Sequence, residues 1–317
     1  MSKNPKKTLM QVMSEGQTFC PCVWDCLSAR AVELSGFSSM LLSSAALSYS
    51  MIGLPDCGFL SIDEVAWATS RITAVSPLPL IVDGENGYSD IPLVVYRNVE
   101  KLVKAGAMAI TLEDAPFESG VERMQAGTKH AAIPAKDWIA KVKAALAAME
   151  GSDCVLIART GVIYDSDTGM DVHKEGGSCD ERGLNAAIER LKMAYDAGAQ
   201  IALACGITKL EHCQKIAEQI PGYKMYPDVV SHNGVPDVEL DDIDKLGFKL
   251  VTMHYLEKGA MWGMLEYGRE NFKNRNTVYS DDHDMGGLNP SDWFEQLKYY
   301  NVADYMNMFR TEAKWRE

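Results

Sequence analysis

The chain has 317 residues, 47% hydrophobic and 24% charged, a balance that suits a globular protein able to bury a full core. A net charge of -13 and a pI near 5.0 exclude nucleic acid as a partner, because the one basic run is the short Lys3 to Lys7 start. No apolar stretch approaches the roughly 20 residues of a membrane span, and no apolar signal core opens the chain. The reading is therefore a cytoplasmic protein with no membrane partner.

Eight cysteines, at 20, 22, 26, 57, 154, 179, 205 and 213, are too sparse for a disulfide framework and read as reduced thiols. Cys20-Pro-Cys22 with Cys26 invites comparison with a metal cluster. It lies on the apolar run FCPCVWD, however, and no second Cys or His pair has matching spacing, so it reads as core.

Taken in chain order, apolar runs of strand length fall at residues 19–25, 39–44, 78–85, 107–114, 154–160, 200–206, 224–231 and 248–254. Helix-period segments stand between them at residues 63–75, 92–105, 135–149, 181–197, 209–220 and 240–245. Runs that are continuously apolar, rather than alternating, indicate strands covered on both faces, as parallel strands are beneath helices. Eight such units over about 250 residues predict a (β/α)8 barrel occupying residues 1–317 as a single domain, with 256–317 a helical extension. The segments 115–134 and 161–180 are longer than ordinary βα loops and are candidate lids. The aromatic-rich stretch 293–305 predicts a further helix packing outside the barrel or onto a neighbouring subunit.

The strand ends carry Asp25, Ser43-Ser44, Asp83 with Glu85, Glu113-Asp114, Arg159, Cys205, Asp228 with Ser231-His232, and His254. In a barrel of this type these distant positions converge on the C-terminal mouth, where the working site lies. Asp83, Glu85 and Glu113 are carboxylates suited to Mg²⁺, with Mn²⁺ as the other candidate, bound directly or through water. Arg159 offers a planar fork for a substrate carboxylate.

These residues resemble the isocitrate lyase and phosphoenolpyruvate mutase superfamily, most closely its methylisocitrate lyase and carboxyphosphonoenolpyruvate mutase branch. The likeness is carried by Val23-Trp24-Asp25-Cys26-Leu27-Ser28-Ala29-Arg30, Leu42-Ser43-Ser44, Gly53-Leu54-Pro55-Asp56, Asp83-Gly84-Glu85-Asn86-Gly87-Tyr88, Glu113-Asp114 and Ile157-Ala158-Arg159-Thr160. The resemblance implies a helix-swapped barrel, a homo-oligomer built as a dimer of dimers, and a Mg²⁺-dependent reaction through a pyruvate- or glyoxylate-like enolate. It implies substrate binding by Ser43, Ser44, Ala45, Arg159 and Asp228, with Asp56 near the metal and the reacting carbon.

The departures are equally specific. The family's lyase loop Lys-x-Cys-Gly-His is absent, since Ser119 and Val121 stand where its Cys and His would. The mutases' Lys after Glu-Asp is Ala115, the second metal-site Asp is Glu85, and the glutamate at the sixth strand end is Cys205. Proton transfer then falls to Cys205 or His232. The expected function is cleavage of a C–C bond in a small 2-hydroxy or 2-oxo dicarboxylate. The alternatives are decarboxylation or hydrolysis of an oxaloacetate-like acid, C–P mutase chemistry, or a metabolite-binding relative without catalysis.

Overall fold

The computed structural model describes residues 7–116, 132–161, 181–232 and 234–283, with the side chains of Ser231 and His232 outside that description. The described residues belong to two compact units, Met1–Leu256 and Glu257–Glu317.

The first unit is a closed barrel of parallel strands: β1 (Thr18–Val23), β2 (Met40–Leu42), β3 (Leu80–Asp83), β4 (Ala109–Glu113), β5 (Val155–Thr160), β6 (Ile201–Ala204), β7 (Tyr223–Tyr226) and β8 (Phe248–Met253). Each strand pairs with its chain neighbours, and β8 closes on β1 through Thr18 opposite Leu250 and Cys20 opposite Thr252. The expected (β/α)8 architecture is therefore present.

Successive side chains on a strand point to opposite faces, and two separate apolar clusters result. Cys20, Cys22, Leu41, Ile81, Ala109, Ile157, Ile201, Leu203, Met225 and Leu250 fill the lumen. Val23, Leu42, Leu80, Val82, Ile110, Leu112, Leu156 and Val251 face the helical layer, where Trp138, Ile188 and Ile72 cover them. The Cys20 and Cys22 thiols are thus packing groups, as the apolar run implied. Trp138 is fully buried, and its indole Nε1–H donates to the Leu112 carbonyl at 3.4 Å, tying the helix Ala135–Met149 to β4.

Local signals explain the helix starts. Asp25 caps Cys26–Leu34 by accepting from the Ser28 amide at 2.7 Å, and Ser61 with Glu64 forms a reciprocal capping box at the start of Ile62–Val75. Asp25, read from sequence as one of the polar strand ends, is engaged in this cap.

The structure departs from the sequence reading in places. Two helices that periodicity did not flag, Leu9–Glu15 and Cys26–Leu34, are present. They have seven and nine residues, at most two and a half turns, too short for a period to register. In the first of them, Leu9 and Met13 join the lumen cluster and close the barrel at the N-terminal ends of the strands. The seventh run, 224–231, is not one strand: β7 stops at Tyr226, where Pro227 has no N–H to continue the ladder. Beyond it, Ser231–His232 pairs antiparallel with Val235–Pro236. The expected helix at 293–305 and most of both long loops lie outside the described residues.

In the second unit, the helix Leu256–Asn274 has no buried residue, and Tyr279 in Val278–Asp282 meets the Tyr267 ring edge-on at 5.7 Å. Among the described residues no helix is long and apolar enough to cross a membrane.

Candidate active site

The lumen side chains of each strand continue, two residues further on, into the mouth of the barrel. Leu41 leads to Ser43, Ile81 to Asp83, Thr111 to Glu113, Ile157 to Arg159, Leu203 to Cys205, and Thr252 to His254. Ser43, Ser44, Ala45, Asp56, Asp83, Arg159, Cys205, Asp228 and His254 line one cavity of about 410 Å³ floored by Leu41, Leu203 and Met225.

Asp83 is the most connected of these groups. Its Oδ1 accepts from Thr111 Oγ1 at 2.8 Å and from the Glu85 amide at 3.2 Å, and its Oδ2 accepts from Ser44 Oγ at 3.3 Å. The loop that follows explains the two glycines of the motif. A Cβ on Gly84 would stand 2.3 Å from the Thr111 carbonyl oxygen, so only glycine lets the chain pass there. Gly87 has φ +83°, and a Cβ on it would stand 2.9 Å from Val95. Asn86 accepts from the Tyr88 amide at 3.0 Å, an Asx turn that holds the backbone reversal. Glu85 itself sits at φ +48°, a conformation uncommon for a non-glycine residue.

Arg159 pairs in register with Glu113, since β4 and β5 are neighbours. Its Nε lies 3.3 Å from Glu113 Oε2 and also donates to Cys205 Sγ at 3.3 Å, while Nη1 reaches Asp83 Oδ1 at 3.4 Å. Burial works against the guanidinium charge. Glu113, Cys205, Asp83 and Glu85 outweigh it and hold the Arg159 pKa well above its ordinary value. Cys205 responds in the other direction: burial raises its pKa despite the neighbouring Arg159, so it is a thiol at neutral pH.

Asp114, next to Glu113, turns away from the cavity. Its Oδ2 accepts from Thr160 Oγ1 at 2.6 Å and from Arg190 Nη1 at 3.2 Å, its Oδ1 accepts from the Gly161 amide at 3.1 Å, and Arg190 Nη2 donates to the Ile133 carbonyl at 2.8 Å. One buried ion pair thereby anchors the chain on the far side of one long loop and the near side of the other.

The loop carrying Asp56 is held from below. Ser48, in the single π-helical turn Ser48–Ile52, donates through Oγ to the Leu54 carbonyl at 2.8 Å and, at 3.2 Å, to that of Pro55. Ser43 accepts from the Ala46 amide at 3.2 Å, so its hydroxyl caps the short helix Ser44–Leu47.

The cation that the resemblance implies can be tested against these groups. Among the described residues no three His, Cys, Asp or Glu side chains converge tightly enough to enclose a metal by themselves. A Mg²⁺ that keeps several waters needs only one or two carboxylates. The Tyr88 hydroxyl is buried without a hydrogen-bond partner among the described residues. Burial, together with Glu85, Asp83, Asp56 and Glu113, pushes its pKa well up. A phenol oxygen surrounded by carboxylates suits a hydrated divalent cation. Asp83, Glu85 and Glu113 are the residues that would hold such a hydrated Mg²⁺, rather than enclose a bare cation.

Of the residues singled out from sequence, Ser43, Ser44, Ala45, Asp56, Asp83, Arg159, Cys205 and Asp228 lie on the cavity, with Glu113 touching it through Arg159. Glu85 lies in the adjoining turn, and the His232 side chain is outside the described set. His254, a strand end to which the sequence alone assigns no role, lies on the cavity through the two-residue period that runs from Leu250 and Thr252.

Comparisons with known proteins bear on family and fold. The chain is 30% identical over 315 residues to the petal death protein of Dianthus caryophyllus, covering 96% of this chain and 92% of that protein. It is 29% identical over 290 residues to the 2-methylisocitrate lyase of Escherichia coli (strain K12), covering 90% of each. A crystal structure of 2,3-dimethylmalate lyase, a member of the PEP mutase/isocitrate lyase superfamily, has the same fold, with a TM-score of 0.74 at 22% identity over 98% of this chain and 100% of that one. The phosphoenolpyruvate phosphomutase family model matches residues 9–269, barrel and mouth included, and the chain belongs to that family.

Proposed function

We propose that the protein is a Mg²⁺-dependent carbon–carbon lyase acting on a small 2-hydroxy or 2-oxo dicarboxylate through a pyruvate- or glyoxylate-like enolate, with Mn²⁺ able to replace Mg²⁺. One observation carries this reading: a single cavity gathers Arg159, the Asp83 carboxylate two strands away and the turn at Ser43 to Ala45. Its volume of about 410 Å³ lies within the range of small-molecule sites.

In this reading Asp83, Glu85 and Glu113 would hold the hydrated cation, which would supply positive charge where negative charge develops on the substrate oxygen. Arg159 holds the substrate carboxylate, and Ser44 and Ala45 donate toward the same end of the substrate. Asp56 flanks the reacting carbon. Decarboxylation of an oxaloacetate-like acid uses the same cradle and differs only in the bond that breaks.

The helix Leu256–Asn274 supports an oligomer, a dimer of dimers with exchanged helices in this reading. Its sequence carries Trp262, Met264, Leu265 and Phe272, apolar side chains that support the reading of a helix built to meet another surface.

The test is calorimetry with Mg²⁺ and oxalate, an enolate mimic, followed by incubation with malate, citrate and oxaloacetate derivatives, reading pyruvate, glyoxylate and CO₂ release. Mg²⁺-dependent oxalate binding with keto-acid release is the expected result. Oxalate binding that ignores Mg²⁺, or no turnover across the panel, would refute the reading.

A further inference from the structure

We propose that Asp228 and His254 form the proton-transfer dyad of this site, with His254 exchanging the proton and Asp228 positioning it. The inference rests on the lyase reading above and names the group that moves the proton.

The dyad is built by the fold. Asp228 follows β7 and His254 follows β8, and these strands are hydrogen-bonded neighbours. Asp228 Oδ1 accepts from the His254 backbone amide at 2.8 Å, and its Oδ2 contacts His254 Nδ1. Both carboxylate oxygens thus hold one residue, through its main chain and through its ring. A carboxylate on Nδ1 fixes the ring orientation, stabilises the imidazolium and makes Nε2 the proton-exchanging nitrogen.

The placement matches the task. In a closed ring in the order β1 to β8, β3 and β7 stand four strands apart, on opposite walls. Asp83 on β3 faces Asp228 across the ring, Arg159 on β5 stands between them, and His254 follows a strand three places from each of β3 and β5; all four line the same cavity. A substrate held by its carboxylate at Arg159 presents its far carbon toward the imidazole. Among the described residues, the other titratable groups on the cavity are Asp56 and Cys205, with Cys20 buried below Asp228. Neither cysteine competes as a base, because burial keeps both as thiols.

The step balances without an added reactant. His254 Nε2 takes the substrate hydroxyl proton as that oxygen forms the new C=O and the adjacent C–C bond breaks, leaving its electron pair in the enolate fragment. The imidazolium then returns the proton to the enolate carbon: a C–H bond forms, the N–H bond breaks, and the neutral ring is restored. In this chain, where Ser119 and Val121 occupy the loop positions, the proton comes from the barrel wall.

The test is turnover of the best substrate in D₂O by wild type, His254→Gln and Asp228→Asn, with product deuteration read by NMR and pH profiles recorded beside Mg²⁺–oxalate affinity. His254→Gln should lose about 10²- to 10⁴-fold in kcat, with the imidazole limb missing from the profile and oxalate affinity retained. Asp228→Asn should keep that limb and move it to lower pH, because the imidazolium loses its carboxylate. Wild-type kcat and an unchanged pH profile in His254→Gln would overturn the dyad while leaving the lyase reading intact. Absence of both cleavage and deuteration in wild type would overturn the lyase reading and the dyad with it.

Discussion

Gly84→Ala probes whether the turn after β3 is built to aim Asp83. The added Cβ would stand 2.3 Å from the Thr111 carbonyl oxygen and 2.6 Å from Ile110 Cγ2, whereas ordinary contact begins near 3.4 Å. Relief therefore needs 3.4 − 2.3 = 1.1 Å of movement against a backbone atom, which cannot rotate aside as a side chain does. Overpacking of this kind costs about 1–3 kcal/mol, and a backbone clash belongs at the upper end. The strand end that moves carries Asp83, and the Gly84 amide itself donates to Thr111 Oγ1 at 3.2 Å, the same hydroxyl that holds Asp83. A displacement of about 1 Å at a reacting centre can cost on the order of 10²-fold in rate. Urea unfolding would read the first effect and kcat the second. Gly16→Ala serves as a control, because nothing lies within 4 Å of its Cβ position. A Gly84→Ala variant as stable and as fast as the Gly16→Ala variant would refute the argument that this glycine sets the site.

Other outcomes follow from individual side chains. Arg159→Lys should raise KM by the equivalent of about 1.5–3 kcal/mol, since one charge-assisted contact of the fork is lost; an unchanged KM would remove Arg159 from carboxylate binding. Cys205 should resist alkylation at pH 7 and label only as the pH rises past the ordinary thiol range, because burial favours its neutral form; fast labelling of its peptide at neutral pH would contradict this. Lys141 is fully buried, and burial lowers its pKa from 10.5 even with Asp90 at 3.6 Å. The folded chain then holds that proton less tightly than the unfolded chain, so its charge costs stability at neutral pH and the cost fades as the pH rises toward 10.5. Lys141→Met should stabilise the fold at pH 7 by on the order of 1 kcal/mol and bring no gain above that range, measured by denaturant midpoints.

The barrel was legible because each strand is buried on both faces and reads as an uninterrupted apolar run, with the polar residues of the mouth marking where the run ends. Asp83 and Arg159 stood out because an acid and a base at a strand end are rare types in an apolar context. His254 was visible as a letter but not as a role, since its partner Asp228 lies on another strand and only the β7–β8 pairing brings them together. Arg190 and Asp114 are 76 residues apart, and a contact at that range leaves no local pattern. The seventh run misled because Met225, Tyr226, Val229 and Val230 look continuous, while Pro227 ends the ladder between them.

The short N-terminal helix plugs one end of the barrel. Among the described residues, Leu9 and Met13 fill the end of the lumen opposite the mouth, which leaves the side beside His254 as the way in and out of the cavity. On the proposed cleavage both fragments would share that exit, and the one held by Arg159, whose side chain is 25% exposed against 43% for His254, would be the later to leave. The keto-acid fragment of that proposal, added back to the enzyme, should then compete with substrate, whereas its companion should be the weaker inhibitor.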